Sequence, residues 1–241
     1  NSVIDNTFNL NIAPTYGDNS TTMPTGESVK KYMFSIENLA WRNQPEFESK
    51  VLVLNSNFEI KNELRLTASD YLKIADIELI NGFCVIGGTF KDNLSVNGIP
   101  VLLSSGKSAF LLNHDQSLQL IWAKSFLSSA DSQLQNFEVD YWGDLILGIS
   151  YTGEFDTGIG NIMSKGEEDI VILNCKMSNA NTLWFKEIGG LGKEKLHSIK
   201  TGDLGTPLIS FETTHGLFLD GVEFSETQTN EIHTALLTSR A

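Results

Sequence analysis

Histidine, cysteine and carboxylate side chains are the groups here that could do chemistry, and their spacing assembles no site. His114, His197, His215 and His233 include no HxH or HxxxH pair, the spacings that bring two imidazoles to one metal. Cys84 and Cys175 lie far apart in apolar runs, FCVIGG and VILNCKM. That is neither a CxxC metal motif nor a disulfide framework; buried free thiols are expected, with a disulfide left open. The strings Glu154-Phe155-Asp156-Thr157-Gly158 and Gly166-Glu167-Glu168-Asp169 put carboxylates near Gly-bearing turns. A calcium loop needs about six to eight oxygens, usually with Asp at alternating positions. No DxDxDG string occurs, so solvated loops are expected, with no metal and no cofactor. GxSxG, Walker-type and GxGxxG strings are also missing, leaving nucleophilic and nucleotide chemistry unsupported. Converging strands could bring two carboxylates within the roughly 5–10 Å used in glycoside hydrolysis. With 30 acidic residues, no spacing singles out a pair.

Aromatic residues divide into two classes. Trp122 and Trp184 stand in similar strings, Ile-Trp-Ala-Lys and Leu-Trp-Phe-Lys, which marks them for packing. Trp41 and Trp142 stand in strings that do not recur, and Tyr141 precedes Trp142 in Asp140-Tyr141-Trp142-Gly143-Asp144, a turn signal. Aromatic faces on loops stack on sugars and anchor interfaces. Trp41, Tyr141 and Trp142 are therefore the candidate ligand-binding residues.

The elements that would carry these residues recur with a period of about 60 residues, in the range of repeat architectures. Val-Leu-Asn55, Leu-Leu-Asn113 and Ile-Leu-Asn174 each end an apolar run, and Asn suits a strand-to-turn step. Gly82 matches Gly143 and Gly87 matches Gly148 in two Gly-flanked apolar runs. His114, Cys175 and Ser56 each follow the repeated Asn, which reads as a tolerant turn site. One unit thus has four strands: a first strand, a Gly-flanked strand, a strand ending in Leu-Asn, and a Trp-bearing strand. No segment sustains a 3.6-residue apolar period over three turns.

Four-stranded antiparallel units of this length bury their faces by stacking on copies. The expected fold is all-β: a small β-propeller, one domain over residues 1–241, with units at about 30–70, 71–134, 135–195 and 196–241. The last unit stops before its Trp-type strand. The strand-like residues 8–13 are placed there, which would close four blades into a ring. A fragment of a longer propeller is the alternative.

Apolar residues make up 41%, enough for a sizeable core rather than disorder. The net charge of −13 repels phosphate backbones and anionic lipid, so no nucleic-acid partner is expected. No run of about 18 apolar residues is present, so no membrane insertion is expected.

Gly87-Gly88-Thr89-Phe90, Phe155-Asp156-Thr157-Gly158, Gly166-Glu167-Glu168-Asp169-Ile170-Val171 and Trp122-Ala123-Lys124-Ser125-Phe126 resemble the tandem SBBP-type β-propeller repeats of bacterial surface and secreted proteins. The likeness covers about 71–190. It implies a propeller fold and an extracellular or cell-surface setting, and no shared active site. The functional expectation is a non-enzymatic binding or adhesion module whose loops on one face take a glycan or a protein. A hydrolase using carboxylates near the propeller axis, and a structural spacer or oligomerisation domain, are the alternatives.

Overall fold

The computed structural model describes residues 32–37, 47–202, 206–220, 222–225 and 231–237. All regular structure in them is strand, arranged in antiparallel sheets. The first sheet is β1 (Tyr32–Glu37), β2 (Phe47–Leu54) and β3 (Ile60–Ala68). The second is the meander β4 (Tyr71–Ile80), β5 (Phe83–Val96), β6 (Ile99–His114) and β7 (Leu120–Phe126). The third joins β8 (Ser132–Val139), β9 (Leu145–Tyr151), β12 (Asp169–Cys175) and β13 (Thr182–Gly189), with the hairpin β10 (Glu154–Asp156) and β11 (Asn161–Met163) between β9 and β12. The fourth holds β14 (Lys195–Thr201), β15 (Pro207–Thr213) and β18 (Glu231–Leu236). It carries the hairpin β16 (Leu217–Leu219) and β17 (Val222–Ser225).

Continuous apolar runs form these strands because both faces of a sheet are covered. β9 and β12 are buried at every residue. Successive side chains point to opposite faces, so each strand feeds two cores. On β12, Ile170 and Ile172 enter the core shared with the fourth sheet, while Val171, Leu173 and Cys175 enter the core shared with the second. On β6, Ala109 and Leu111 face the third sheet, and Phe110 and Leu112 face the first. Three apolar cores therefore lie between four successive sheets.

Two glycines set how closely the sheets approach. An alanine Cβ at Gly87 would sit 2.4 Å from Leu134 and 2.8 Å from Phe137; at Gly148 it would sit 2.1 Å from Leu196 and 2.8 Å from Ile199. In both cases the first strand of the next sheet, β8 or β14, presses onto bare backbone.

The β5–β6, β10–β11 and β16–β17 hairpins make a further connection. Each reaches back to the preceding sheet: Leu94–Val96 of β5 pairs with β3, Phe155 bridges to Ser128 just after β7, and β16 pairs with β13. These contacts fuse the first two sheets into one seven-stranded ladder and extend the third to six strands. The repeat strings did not predict them.

Trp41, residues 8–13 and the proposed ring closure lie outside the described residues. Among the described residues the sheets close into neither a barrel nor a ring. In the unit expected over about 30–70, β1 pairs with β2 as β5 pairs with β6.

Asn55 also differs from expectation. Asn113 and Asn174 pair with Trp122 and Trp184, each at a bulge one residue before the strand ends. The corresponding bulge in the first sheet falls at Val53/Leu54. Asn55 therefore lies two residues further on, inside the turn, where the second sheet has Asp115. Consequently His114 matches Leu54, not Ser56. It is a strand residue, fully buried opposite Cys84, rather than a tolerant turn site.

Candidate functional site

The chain turns sharply at Asp140 because that side chain can do what a turn needs. Asp140 Oδ1 accepts the N–H groups of Trp142 and Asp144, both at 2.9 Å. The Asp140 carbonyl accepts the Gly143 N–H at 3.0 Å, and Gly143 has φ of 82°, a region that favours glycine. Asn174 Nδ2 donates to Asp140 Oδ2 at 3.4 Å, tying the turn to the end of β12. Asn55 and Asp115 build the same turn, each accepting two backbone N–H groups two and four residues ahead.

At its tip this turn presents Tyr141, 73% exposed, and Trp142, 50% exposed. Their rings stand edge to face, 5.8 Å apart at 88°. An edge-to-face pair is a favoured aromatic geometry, so two large apolar faces are held toward solvent in a fixed relation. By contrast, Trp122 and Trp184 are half-buried against the cores; Trp122 Nε1 also donates to the Met177 carbonyl at 3.1 Å. The recurring tryptophans pack and the non-recurring Trp142 is displayed.

The turns on this side share one end of the sheets. Asn62 at the start of β3 reaches the Ser117 carbonyl, Trp122 reaches Met177, and Gln116 covers Gly82 in the β4–β5 turn. Phe58 is exposed at this same end. At the opposite end the β5–β6, β10–β11 and β16–β17 hairpins expose the aliphatic residues Ile99, Ile159 and Val222.

A charged ledge runs along the first strands toward the aromatic end. Asn136 Nδ2 donates to Asp76 Oδ2 at 3.2 Å, linking β4 to β8. The Lys200 ammonium is ion-paired with Glu138, and Thr201 Oγ1 donates to the Val139 carbonyl at 3.0 Å, linking β8 to β14. β4, β8 and β14 thus lie side by side, running the same way. Burial raises the Glu78 carboxyl to about 7, assisted by the negative charges of Asp76 and Glu138 and opposed by Lys200. Burial also raises Asp76, against the hydrogen bond from the Ile77 N–H. A half-buried carboxyl poised near neutrality can give or take a proton at physiological pH. Sequence inspection passed over this ledge, although Glu78, Glu138 and Lys200 recur at about the repeat period.

Cys84 and Cys175 are buried thiols outside any disulfide, and burial pushes each up to about 12. Among the described residues, no three His, Cys, Asp or Glu side chains form a metal site. Phe155 in the acidic string is fully buried, and Asp156 accepts the Gly158 N–H within its own turn. No described helix is long and apolar enough to cross a membrane. No protein-family model matches the chain, and no curated protein matches it.

Proposed function

We propose that this chain is a small β-propeller from an exported bacterial protein, a non-enzymatic module that binds a glycan on the end bearing Tyr141 and Trp142. The propeller reading is supported by four antiparallel sheets stacked through three cores, with β4, β8 and β14 side by side as strands lie around an axis. The exported setting rests on the likeness of 71–190 to SBBP-type repeats. The aromatic pair carries the binding assignment: two exposed rings held edge to face on a turn braced by Asp140. Such rings stack on the apolar faces of sugars, and the ledge behind them supplies carboxylate, amide and ammonium groups for hydroxyls.

A glycan array with a parallel pull-down on surface extracts tests this. Binding to glycans is expected, and Tyr141→Ala with Trp142→Ala together should weaken it at least about tenfold, the loss of a central aromatic anchor. Because both rings are exposed, the circular dichroism of the double variant should match the parent. Capture of a protein alone would shift the ligand class to protein. Silence in both assays would contradict the assignment.

Glu78 favours a second reading, glycoside hydrolysis on the same ledge. A carboxyl held near 7 can protonate a leaving group, while ion-paired Glu138 faces the same site. Turnover on a glycoside panel should then decline above about pH 7 as Glu78 loses its proton. Glu78→Gln should cut it by roughly 10²–10⁴-fold. An inert protein across the panel removes this reading and leaves the binding assignment standing.

A further inference from the structure

Asp169 and Glu194 are both fully buried, far from water for carboxyl groups. Asp169 opens β12, and Glu194 ends the link that leads from β13 into β14. The Lys165 N–H donates to Asp169 Oδ2 at 2.9 Å, but Asp169 Oδ1 and both Glu194 oxygens have no well-aligned donor. Two sealed carboxyls in contact satisfy each other only if one keeps its proton, whose O–H then donates to the other's oxygen. The pair is hydrogen-bonded side chain to side chain, and backbone lies close against each carboxyl. A Cβ at Gly189 would lie 2.3 Å from Asp169 Oδ2, and one at Gly190 would lie 2.6 Å from Glu194 Oε1 and 2.7 Å from the carbonyls of His215 and Gly216.

We propose that Asp169 and Glu194 share one proton and form a latch, strengthened by acid, that holds residues 190–194 and the β15–β16 turn onto the third sheet. The segments held are identified by their backbone bonds. Glu194 N–H donates to the Glu168 carbonyl, Glu167 N–H to the Gly192 carbonyl, and Leu191 N–H to the His215 carbonyl, each at 2.8 Å. Lys193 N–H donates to Thr214 Oγ1 at 2.7 Å. The charged groups around the pair are already engaged elsewhere. Lys165 pairs with Glu187, which also accepts from the Tyr151 hydroxyl, and Glu168 pairs with Lys193 at 2.6 Å. Both lysines beside the pair, Lys165 and Lys193, are thus already ion-paired, and the Lys165 charge only partly offsets the burial of Asp169.

Burial raises both carboxyls, Glu194 to about 8, with Asp169 its next largest influence. The folded value exceeds the ordinary glutamate value of 4.5. The latch is therefore at full strength in acid and weakens as pH rises from about 4.5 toward 8, where the open form sheds its proton first. His215 lies in the turn that the latch holds, and His197 and His233 lie on β14 and β18; all three stay in place in Glu194→Gln, so that variant separates their effects, while Glu78 and His114 lie apart on β4 and β6.

Hydrogen exchange of the whole chain at pH 5.5 and pH 8, corrected for intrinsic rates, reads the latch directly in peptides covering 188–196 and 212–219. At the higher pH these amides should open at least about tenfold more often in the parent. In Glu194→Gln, whose amide can donate to an ionised Asp169 without a shared proton, the two conditions should agree within about twofold. Equal opening in the parent, or the same rise in the variant, overturns the latch. Carboxyl ¹³C titration of the parent gives an answer even if the variant fails to fold. Asp169 or Glu194, assigned by residue and so distinct from Glu78, should titrate above pH 6.5, and midpoints below 6 for both overturn the proposal.

Discussion

Gly148→Ala is expected to destabilise the chain by about 1–3 kcal/mol, the range for forcing a methyl into a filled core. The added Cβ would lie 2.1 Å from Leu196 and 2.8 Å from Ile199, closer than any real carbon contact. Ile199 is fully buried and β14 is hydrogen-bonded to β15, so neither can retreat cheaply. Urea unfolding checks this. The companion Leu196→Ala removes the nearest obstacle and leaves a cavity that the new methyl partly fills. The double variant should thus lose less than the sum of the singles by about 1 kcal/mol or more. Additive losses would mean that the fourth sheet does not press on the third at Gly148.

His114→Leu is expected to flatten the acid arm of the stability curve. The ring is fully buried, and desolvation lowers its pKa from 6.5 to about 4; a backbone contact with Cys84 and the charge of Asp115 only partly compensate. The folded value lies below the unfolded one, so the unfolded chain takes the proton first. His114 stability is complete above about 6.5 and is lost as pH falls toward 4. Over that window the loss is on the order of 3 kcal/mol. Leu54 holds the matching place in the first sheet, so the core can take a leucine there. The variant should also gain about 1 kcal/mol at neutral pH, because a buried polar ring without good partners is gone. Glu78 and Glu194 act with opposite sign, since their raised values favour the folded state in acid. Subtracting the parent curve from the variant curve cancels them. Parallel curves between pH 4 and 6.5 would contradict the assignment.

Strand content was legible because apolar runs, turn residues and glycines report local geometry. Gly87 and Gly148 were found by their recurrence, and each sits where the next sheet presses. The turn that displays Tyr141 and Trp142 was legible because Asp140 and Gly143 write it. Asn55 was misplaced because Val-Leu-Asn imitates Leu-Leu-Asn in letters, while the bulge that sets the alignment leaves no mark on composition. The returning hairpins were missed although Asn97-Gly98-Ile99, Thr157-Gly158-Ile159 and Asp220-Gly221-Val222 repeat a polar-Gly-aliphatic tip. The burial of the ledge and the meeting of Asp169 with Glu194 were illegible for a physical reason. Each depends on segments distant in sequence meeting in space, and on burial that only the packed sheets create.

The central claim is that one end of the stacked sheets, marked by Tyr141 and Trp142, is the ligand face. Backbone and indole chemical-shift mapping during titration with an array-selected glycan tests it most directly. The largest shifts should fall on the Trp142 indole, Tyr141 and the 140–144 amides, and extend to Glu78 and Glu138. Shifts confined to the opposite hairpins around Ile99, Ile159 and Val222, or none at saturating glycan, would contradict it.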